Sequence, residues 1–217
     1  MYNKQLADKY GEERVLVLES SIVSSTDVVE DYLNNIKYFG RFKLRYDVEE
    51  DLNYRQIIPY VVVKCKEKFL ITRRIKGDSR LVGMTSIGMG GHINPVDRFM
   101  AEGKGIMTID VIKSCVIREI KEETTAEDIN DIRICSAFID DSSDVSKVHA
   151  CLLCIVNLDE EVNIREVDKL EGMWVEEKEM TREIFDSFEN WSKIAYKKVF
   201  GKEAPKIKRR RRKSTQI

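Results

Sequence analysis

A run of charged and aliphatic residues with the period of an α-helix is the strongest constraint on this chain, and its centre is Arg118-Glu119-Ile120-Lys121-Glu122-Glu123. At about 100° per residue, the three glutamates of the run fall on one edge of the helix. The adjoining aliphatic stripe contains Ile109, Ile112, Val116, Ile117 and Ile120. Because neighbouring carboxylates repel each other, their clustering indicates a hard divalent cation such as Mg²⁺. The alternative is a solvated charged face, since glutamate and lysine also favour helices.

The run resembles the Nudix box, whose form is G-x5-E-x7-R-E-U-x-E-E-x-G-U, with U an aliphatic residue. The R-E-U-x-E-E portion is complete from Arg118 to Glu123, and Gly90-Gly91 is similar to the glycine pair that opens the box. Counted back from Arg118, Asp110 stands where the first glutamate of the box is expected. The spacer between Gly91 and Asp110 is then 18 residues instead of five, which predicts an inserted loop over residues 94–107. Thr124-Thr125 replaces the glycine that normally ends the helix.

The resemblance implies an α/β fold, namely a Nudix-type α/β/α sandwich with a mixed sheet. Apolar, β-branched runs predict strands over residues 56–64, 69–74, 132–139 and 148–158. An N-terminal α/β extension is expected over residues 1–50, the Nudix hydrolase domain over 51–200, and a basic, disordered tail over 201–217. The extension is a candidate for a wall of the substrate site or for a contact within a homodimer.

The resemblance also assigns roles to individual residues. It implies Mg²⁺ or Mn²⁺ held by Glu119, Glu122 and Glu123, with the carbonyl of Gly90 or Gly91 as a further ligand. Arg118 is expected to orient the carboxylates by charge-assisted hydrogen bonds, and the expected catalytic residues are Glu122, Arg118 and Glu119.

Three regions outside the helix supply further candidates. An additional metal ligand or base is expected before Trp174, and Asp168 and Glu171 are equal candidates for it. Arg74 ends a strand that leads to the site and is a candidate phosphate contact, because a guanidinium suits phosphate oxygens; the alternative is an exposed strand end. His92 is a candidate substrate contact, against the simpler interpretation of a hydrogen-bonded histidine.

The predicted function is therefore the metal-dependent hydrolysis of a diphosphate linkage in a nucleoside diphosphate joined to another moiety. One alternative is a non-catalytic, nucleotide-binding regulatory Nudix domain, although such proteins usually lose the carboxylates that are all present here. Isomerisation of isopentenyl diphosphate is a second alternative, but the reactive cysteine and histidine ligands it requires are not evident. A third is an RNA 5′-end or cap-processing hydrolase that uses the basic tail.

Charge and cysteine content bear on partners and location. The formal net charge is −1, but seven basic residues between Lys206 and Lys213 leave the remainder of the chain at −8. Such a tail is a candidate for binding nucleic acid through its phosphates. Five cysteines, an odd number, indicate free thiols in a reducing compartment, and no run of 18 apolar residues is present. We therefore expect a cytoplasmic protein without a membrane partner.

Overall fold

The computed structural model of the chain describes residues 3–23, 28–76, 82–101 and 109–205. Within these ranges the strands are β1 (Arg14–Glu19), β2 (Arg41–Leu44), β3 (Tyr54–Cys65), β4 (Lys68–Arg74), β5 (Thr85–Ser86), β6 (Gly88–Gly90), β7 (Asp131–Phe138), β8 (His149–Leu158) and β9 (Leu170–Glu176). The helices are α1 (Lys4–Tyr10), α2 (Val29–Phe39), α3 (Arg45–Val48), α4 (Pro95–Met100), α5 (Ile109–Glu123), α6 (Asp144–Lys147), α7 (Arg182–Asp186) and α8 (Asn190–Phe200). A short 3₁₀ helix, Glu177–Glu179, follows β9.

The described strands form one mixed sheet in which β3 is the central element. One path through the sheet runs β2-β1-β3-β4-β5, while β8 and β6 also pair with β3, β7 pairs with β8, and β9 pairs with β4. The β3–β8 pair is parallel and extends from Gln56↔His149 to Cys65↔Leu158, whereas the other pairs are antiparallel. Strand β3 is long and its side chains are buried on both faces of the sheet. A near-continuous run of apolar, β-branched residues predicts such burial.

Alternating side chains of β3 divide the core into two layers. Ile57 belongs to a cluster with side chains of α2 and α5, and Val61 packs in a neighbouring cluster with the later part of α5. Tyr60 and Val62 face the opposite layer, where they pack with side chains of α7 and α8. Helices therefore cover both faces of a mixed sheet, which confirms the predicted α/β/α sandwich. The strands predicted over 56–64, 69–74, 132–139 and 148–158 correspond to β3, β4, β7 and β8.

The segment expected to be an inserted loop begins as a helix instead. Helix α4 starts with proline at its first position after Asn94, and the Asn94 backbone N–H donates to Asp97 Oδ2 at 2.8 Å. Both features favour helix initiation. The rest of the predicted loop, residues 102–107, lies outside the described residues, as do residues 206–217 of the basic tail. None of the described helices is long and apolar enough to cross a membrane.

Candidate active site

Helix α5 carries the carboxylates because its aliphatic stripe is buried against the sheet. Among its fully buried side chains are Ile112, Val116 and Ile120, each at most 1% exposed. The helix ends at Glu123 without a glycine, since the backbone N–H and the hydroxyl of Thr124 both donate to the Ile120 carbonyl at 2.8 Å. The Thr124 hydroxyl thus gives a carbonyl of the last turn a second donor in addition to its helical partner.

The glycine pair lies directly against this helix. A Cβ atom added to Gly91 would be 2.2 Å from Oε1 of Glu119 and 2.4 Å from Oε2, so any other residue there would displace that carboxylate. A Cβ at Gly90 would be 2.4 Å from the Pro59 carbonyl oxygen of β3, because β6 and β3 pair closely there. Close approach to the β3 backbone therefore requires glycine at position 90, and glycine at position 91 leaves the Glu119 carboxylate in place. The pair brings the loop onto the acidic edge of α5.

Arg118 is held by a bidentate ion pair with Asp97. Its Nε donates to Asp97 Oδ1 at 2.9 Å and its Nη2 donates to Asp97 Oδ2 at 3.0 Å. The Asp97 side chain is completely buried, and hydrogen bonding to Asp97 raises the pKa of Arg118 further above its ordinary value. From this anchored position Nη1 reaches Glu119 Oε1 at 2.6 Å and Glu122 Oε2 at 3.5 Å. Arg118 thus contacts two of the three carboxylates that it was predicted to orient.

The acidic partner of Arg118 is Asp97, and the assignment of the first box acid to Asp110 was wrong. Asp110 lies in the first turn of α5, more than two turns before Arg118. Counted forward from the glycines, Gly91 and Asp97 have the regular spacing of five residues, so the extra residues follow the acid rather than precede it. The spacing G-x5-D from Gly91 to Asp97 indicates the correct acid in the sequence. A count that starts from Arg118 alone leads to Asp110 instead.

Burial and like charge raise the pKa values of two carboxylates on α5. Burial raises the pKa of Glu119 although Arg118 acts in the opposite direction. Burial, followed by the charges of Glu119 and Glu166, raises the pKa of Glu123 to about 7, while Arg74 partly opposes them. Elevated pKa values of this kind are common where carboxylates are gathered to bind a cation or exchange a proton.

Glu166 is an acidic residue of the site that the sequence analysis missed. It precedes β9 and lies within electrostatic reach of Glu123, and its Oε1 accepts from Lys169 Nζ at 2.7 Å. Of the two residues predicted for this role, Asp168 is exposed in the same loop and Glu171 is exposed on β9 opposite Arg73. Their roles stay predictions. The loop before β9 was the correct region, but no local pattern distinguishes one of its acidic residues from the next.

The two predicted substrate contacts occupy different environments. Arg74 ends β4, and its charge lowers the pKa of Glu123, so it lies on the side of the site formed by the carboxylates. The His92 ring faces His149, with the two Nε2 atoms 3.4 Å apart, and His149 Nδ1 is 2.6 Å from the Val145 carbonyl oxygen. The role of His92 as a substrate contact stays a prediction. Burial lowers the pKa of both imidazoles, so the neutral forms are favoured.

The donor set of the acidic edge fits a hard divalent cation. Carboxylate oxygens are the ligands that Mg²⁺ and Mn²⁺ prefer, and a cation would relieve the repulsion between the buried charges of Glu119 and Glu123. In the part of the chain that the structure describes, no three His, Cys, Asp or Glu side chains are arranged closely enough to form a metal site. Glu122, with 59% of its side chain exposed, has room to reorient. The ligand set therefore stays a prediction.

Comparison with known proteins defines the class to which this arrangement belongs. No protein-family model matches the sequence. The structure is similar to that of Tm1382, described as a candidate Nudix hydrolase, with a TM-score of 0.72 and 24% identity over 87% of this chain and 99% of that one. It is also similar to DR0079 from Deinococcus radiodurans, with a TM-score of 0.53 and 12% identity over 86% of this chain and 99% of that one. The chain has the Nudix fold, which confirms the predicted resemblance.

A curated relative places the chain more narrowly. Protein YmaB of Bacillus subtilis (strain 168) is 31% identical over 180 residues, which cover 80% of this chain and 84% of that protein. The chain belongs to the same family as YmaB.

Proposed function

We propose that this chain is a metal-dependent hydrolase that cleaves a diphosphate linkage in a nucleoside diphosphate joined to another moiety. The observation that carries the proposal is the contact between Gly91 and the carboxylate of Glu119, whose other neighbour is the anchored guanidinium of Arg118. This arrangement holds a buried acid in a fixed orientation next to two further glutamates. A purely solvated helix face requires neither the glycine nor the buried ion pair.

Glu119 and Glu123 are the proposed direct ligands of a Mg²⁺ or Mn²⁺ ion, with Glu122 and the carbonyl of Gly90 or Gly91 completing the set. A divalent cation bound there supplies Lewis acidity toward the diphosphate and lowers the pKa of a coordinated water. Arg118 keeps the Glu119 carboxylate in place, because its own position is fixed by two hydrogen bonds to Asp97.

Residues around the acidic edge perform the remaining steps. Glu166 joins Asp168 and Glu171 as a candidate to accept the proton of the attacking water, and its proximity to Glu123 favours it over the other two. Arg74 is the proposed contact for a substrate phosphate, since it offers a positive charge beside the carboxylates. With His92 turned toward His149, we assign its imidazole a supporting rather than a direct role in substrate binding.

The test is a Mg²⁺-dependent hydrolysis screen over nucleoside diphosphate sugars, dinucleoside polyphosphates, oxidised nucleotides and capped RNA. Glu122→Gln is the diagnostic variant, because its exposed side chain allows the substitution without a folding defect. We expect it to reduce the rate by about two orders of magnitude or more. Glu127→Gln, an exposed glutamate just beyond the helix, is the matched control and should retain full activity. A Glu122→Gln protein with wild-type turnover would falsify the assignment.

The capped-RNA arm of the screen addresses the basic tail. Its seven positive charges between Lys206 and Lys213 favour a phosphate-rich partner on charge alone. If RNA is the substrate, deletion of residues 206–217 should weaken RNA binding and reduce its dependence on salt concentration, while hydrolysis of small nucleotides stays unchanged. Equal RNA affinity with and without the tail would exclude that role.

A further inference from the structure

Three consecutive residues at the start of the box are each tied to a strand outside it. The His92 ring contacts His149 of β8, and the Ile93 carbonyl accepts from the Leu16 backbone N–H at 2.9 Å. The Asn94 amide Nδ2 donates to the carbonyl of Arg14 at 2.8 Å. Two of these contacts are made to β1, which lies in the N-terminal segment and precedes the box by about 75 residues.

The same short segment surrounds the guanidinium of Arg118. Nη2 of Arg118 donates to the His92 carbonyl at 2.9 Å and lies 3.3 Å from Asn94 Oδ1. The backbone N–H of Asn94 donates to Asp97 Oδ2, the oxygen that also accepts from Arg118. Asn94 is therefore connected to both members of the Arg118–Asp97 ion pair and, through its amide nitrogen, to β1.

We infer that Asn94 is a positioning residue through which strand β1 of the N-terminal segment sets the orientation of Arg118, and with it that of the Glu119 carboxylate. The inference rests on the proposed function for its catalytic consequence, but the positioning itself is a property of the structure. It assigns the N-terminal segment a part in building the site, beyond the substrate-wall or dimer-contact roles expected from sequence.

Strand β1 is a rigid attachment point for this contact. Arg14 pairs with Leu44 of β2, and Val17 pairs with both Arg41 and Gln56, so β1 is fixed on both sides within the sheet. An asparagine amide has a donor and an acceptor on one short side chain, which allows it to bond a carbonyl on one side and a guanidinium on the other. An alanine has neither group, whereas an aspartate keeps an acceptor for Arg118 and loses the donor to Arg14.

Asn94→Ala and Asn94→Asp together separate the two contacts. Both variants keep the backbone N–H that donates to Asp97. The aspartate keeps an acceptor for Arg118, although its charge also repels Asp97. The loss common to both variants is the bond to β1, so a change in the positioning of Arg118 that appears in both is assigned to that bond. Asn3→Ala is the matched control, since Asn3 also lies in the N-terminal segment and its side chain bonds Leu6 and Glu50, which are outside the box.

The first measurement is hydrogen exchange of the Arg118 Nε–H by ¹⁵N NMR without substrate, with the resonance identified by its loss in Arg118→Lys. This proton donates to the buried Asp97 carboxylate and should be protected in the wild type. We expect exchange to accelerate about five- to tenfold in both Asn94 variants and to be unchanged in Asn3→Ala. If the alanine variant does not fold, the aspartate variant carries the same test.

The second measurement is steady-state hydrolysis of the best substrate found in the screen. We expect kcat to fall about five- to tenfold in both Asn94 variants with KM within twofold of wild type, because the acid that is misplaced does not itself bind the remote part of the substrate. Unchanged Nε–H exchange in both variants overturns the inference, even if the rate falls. Wild-type behaviour of Asn94→Asp alone also overturns it, because the bond to β1 is then dispensable. A wild-type protein that hydrolyses nothing in the screen refutes the proposed function, and the exchange measurement still decides the inference.

Discussion

Replacement of Glu123 by glutamine is expected to stabilise the protein at pH 8 and to change its stability at pH 5 by less than about 1 kcal/mol. Burial, then the charges of Glu119 and Glu166, raise the pKa of Glu123 from an ordinary 4.5 to about 7. The folded state therefore binds a proton between pH 4.5 and 7 that the unfolded state has released. The free energy of unfolding of the wild type consequently falls as the pH rises through this interval. Glutamine has no such cost because it does not ionise.

The magnitude follows from the same values. A pKa difference of 2.5, at 1.36 kcal/mol for each pKa unit, sets an upper limit of about 3.4 kcal/mol. Neighbouring carboxylates share part of the proton uptake, so we expect Glu123→Gln to exceed the wild type by about 2 kcal/mol at pH 8. Added Mg²⁺ should stabilise the wild type at that pH more than the variant, since the carboxylate is a proposed ligand.

Urea unfolding followed by circular dichroism at pH 5 and pH 8, in the presence of a chelator, measures the difference. Glu127→Gln, at an exposed position, is the control and should follow the wild type at both values. The reasoning is refuted if Glu123→Gln is no more stable than the wild type at pH 8, because the carboxylate is then not penalised by its surroundings. A gain that is equal at both pH values would also contradict it, since an effect of packing does not depend on ionisation.

Two further substitutions test the ion pair between Arg118 and Asp97 and the role of Gly91. Asp97→Ala should destabilise the chain by about 3 kcal/mol in urea unfolding, because it leaves the Arg118 guanidinium without its buried partner, whereas Asp110→Ala should change stability by no more than about 0.5 kcal/mol. Equal losses from the two would restore Asp110 as a candidate partner. Gly91→Ala should fold but bind Mn²⁺ at least about tenfold more weakly by calorimetry, because the new methyl group displaces the Glu119 carboxylate. Wild-type affinity in this variant would exclude Glu119 as a ligand.

Local pattern was sufficient for the elements that carry the chemistry. The aliphatic period of α5 and the β-branched runs of β3, β4, β7 and β8 appear in the structure where the sequence predicts them. Such periodicity reports which face of an element is buried, and it is recorded within a few consecutive residues. The sequence by itself therefore determined the acidic helix and the strands that support it, and the resemblance of its box to that of the Nudix family implied the fold class.

Long-range contacts decided how the site is completed. In the sequence, the extra residues of the box can be placed before or after its first acidic residue. The hydrogen bonds from Arg118 to Asp97 identify which acidic residue pairs with the arginine. Glu166 adjoins Glu123 because the loop before β9 returns along the end of α5, where the Arg165 N–H donates to the Glu123 carbonyl at 2.8 Å. The attachment of Asn94 to β1 joins residues 80 positions apart. Contacts of this range depend on sheet order and loop path, neither of which leaves a periodic signal in the sequence, and so the tertiary structure alone specifies them.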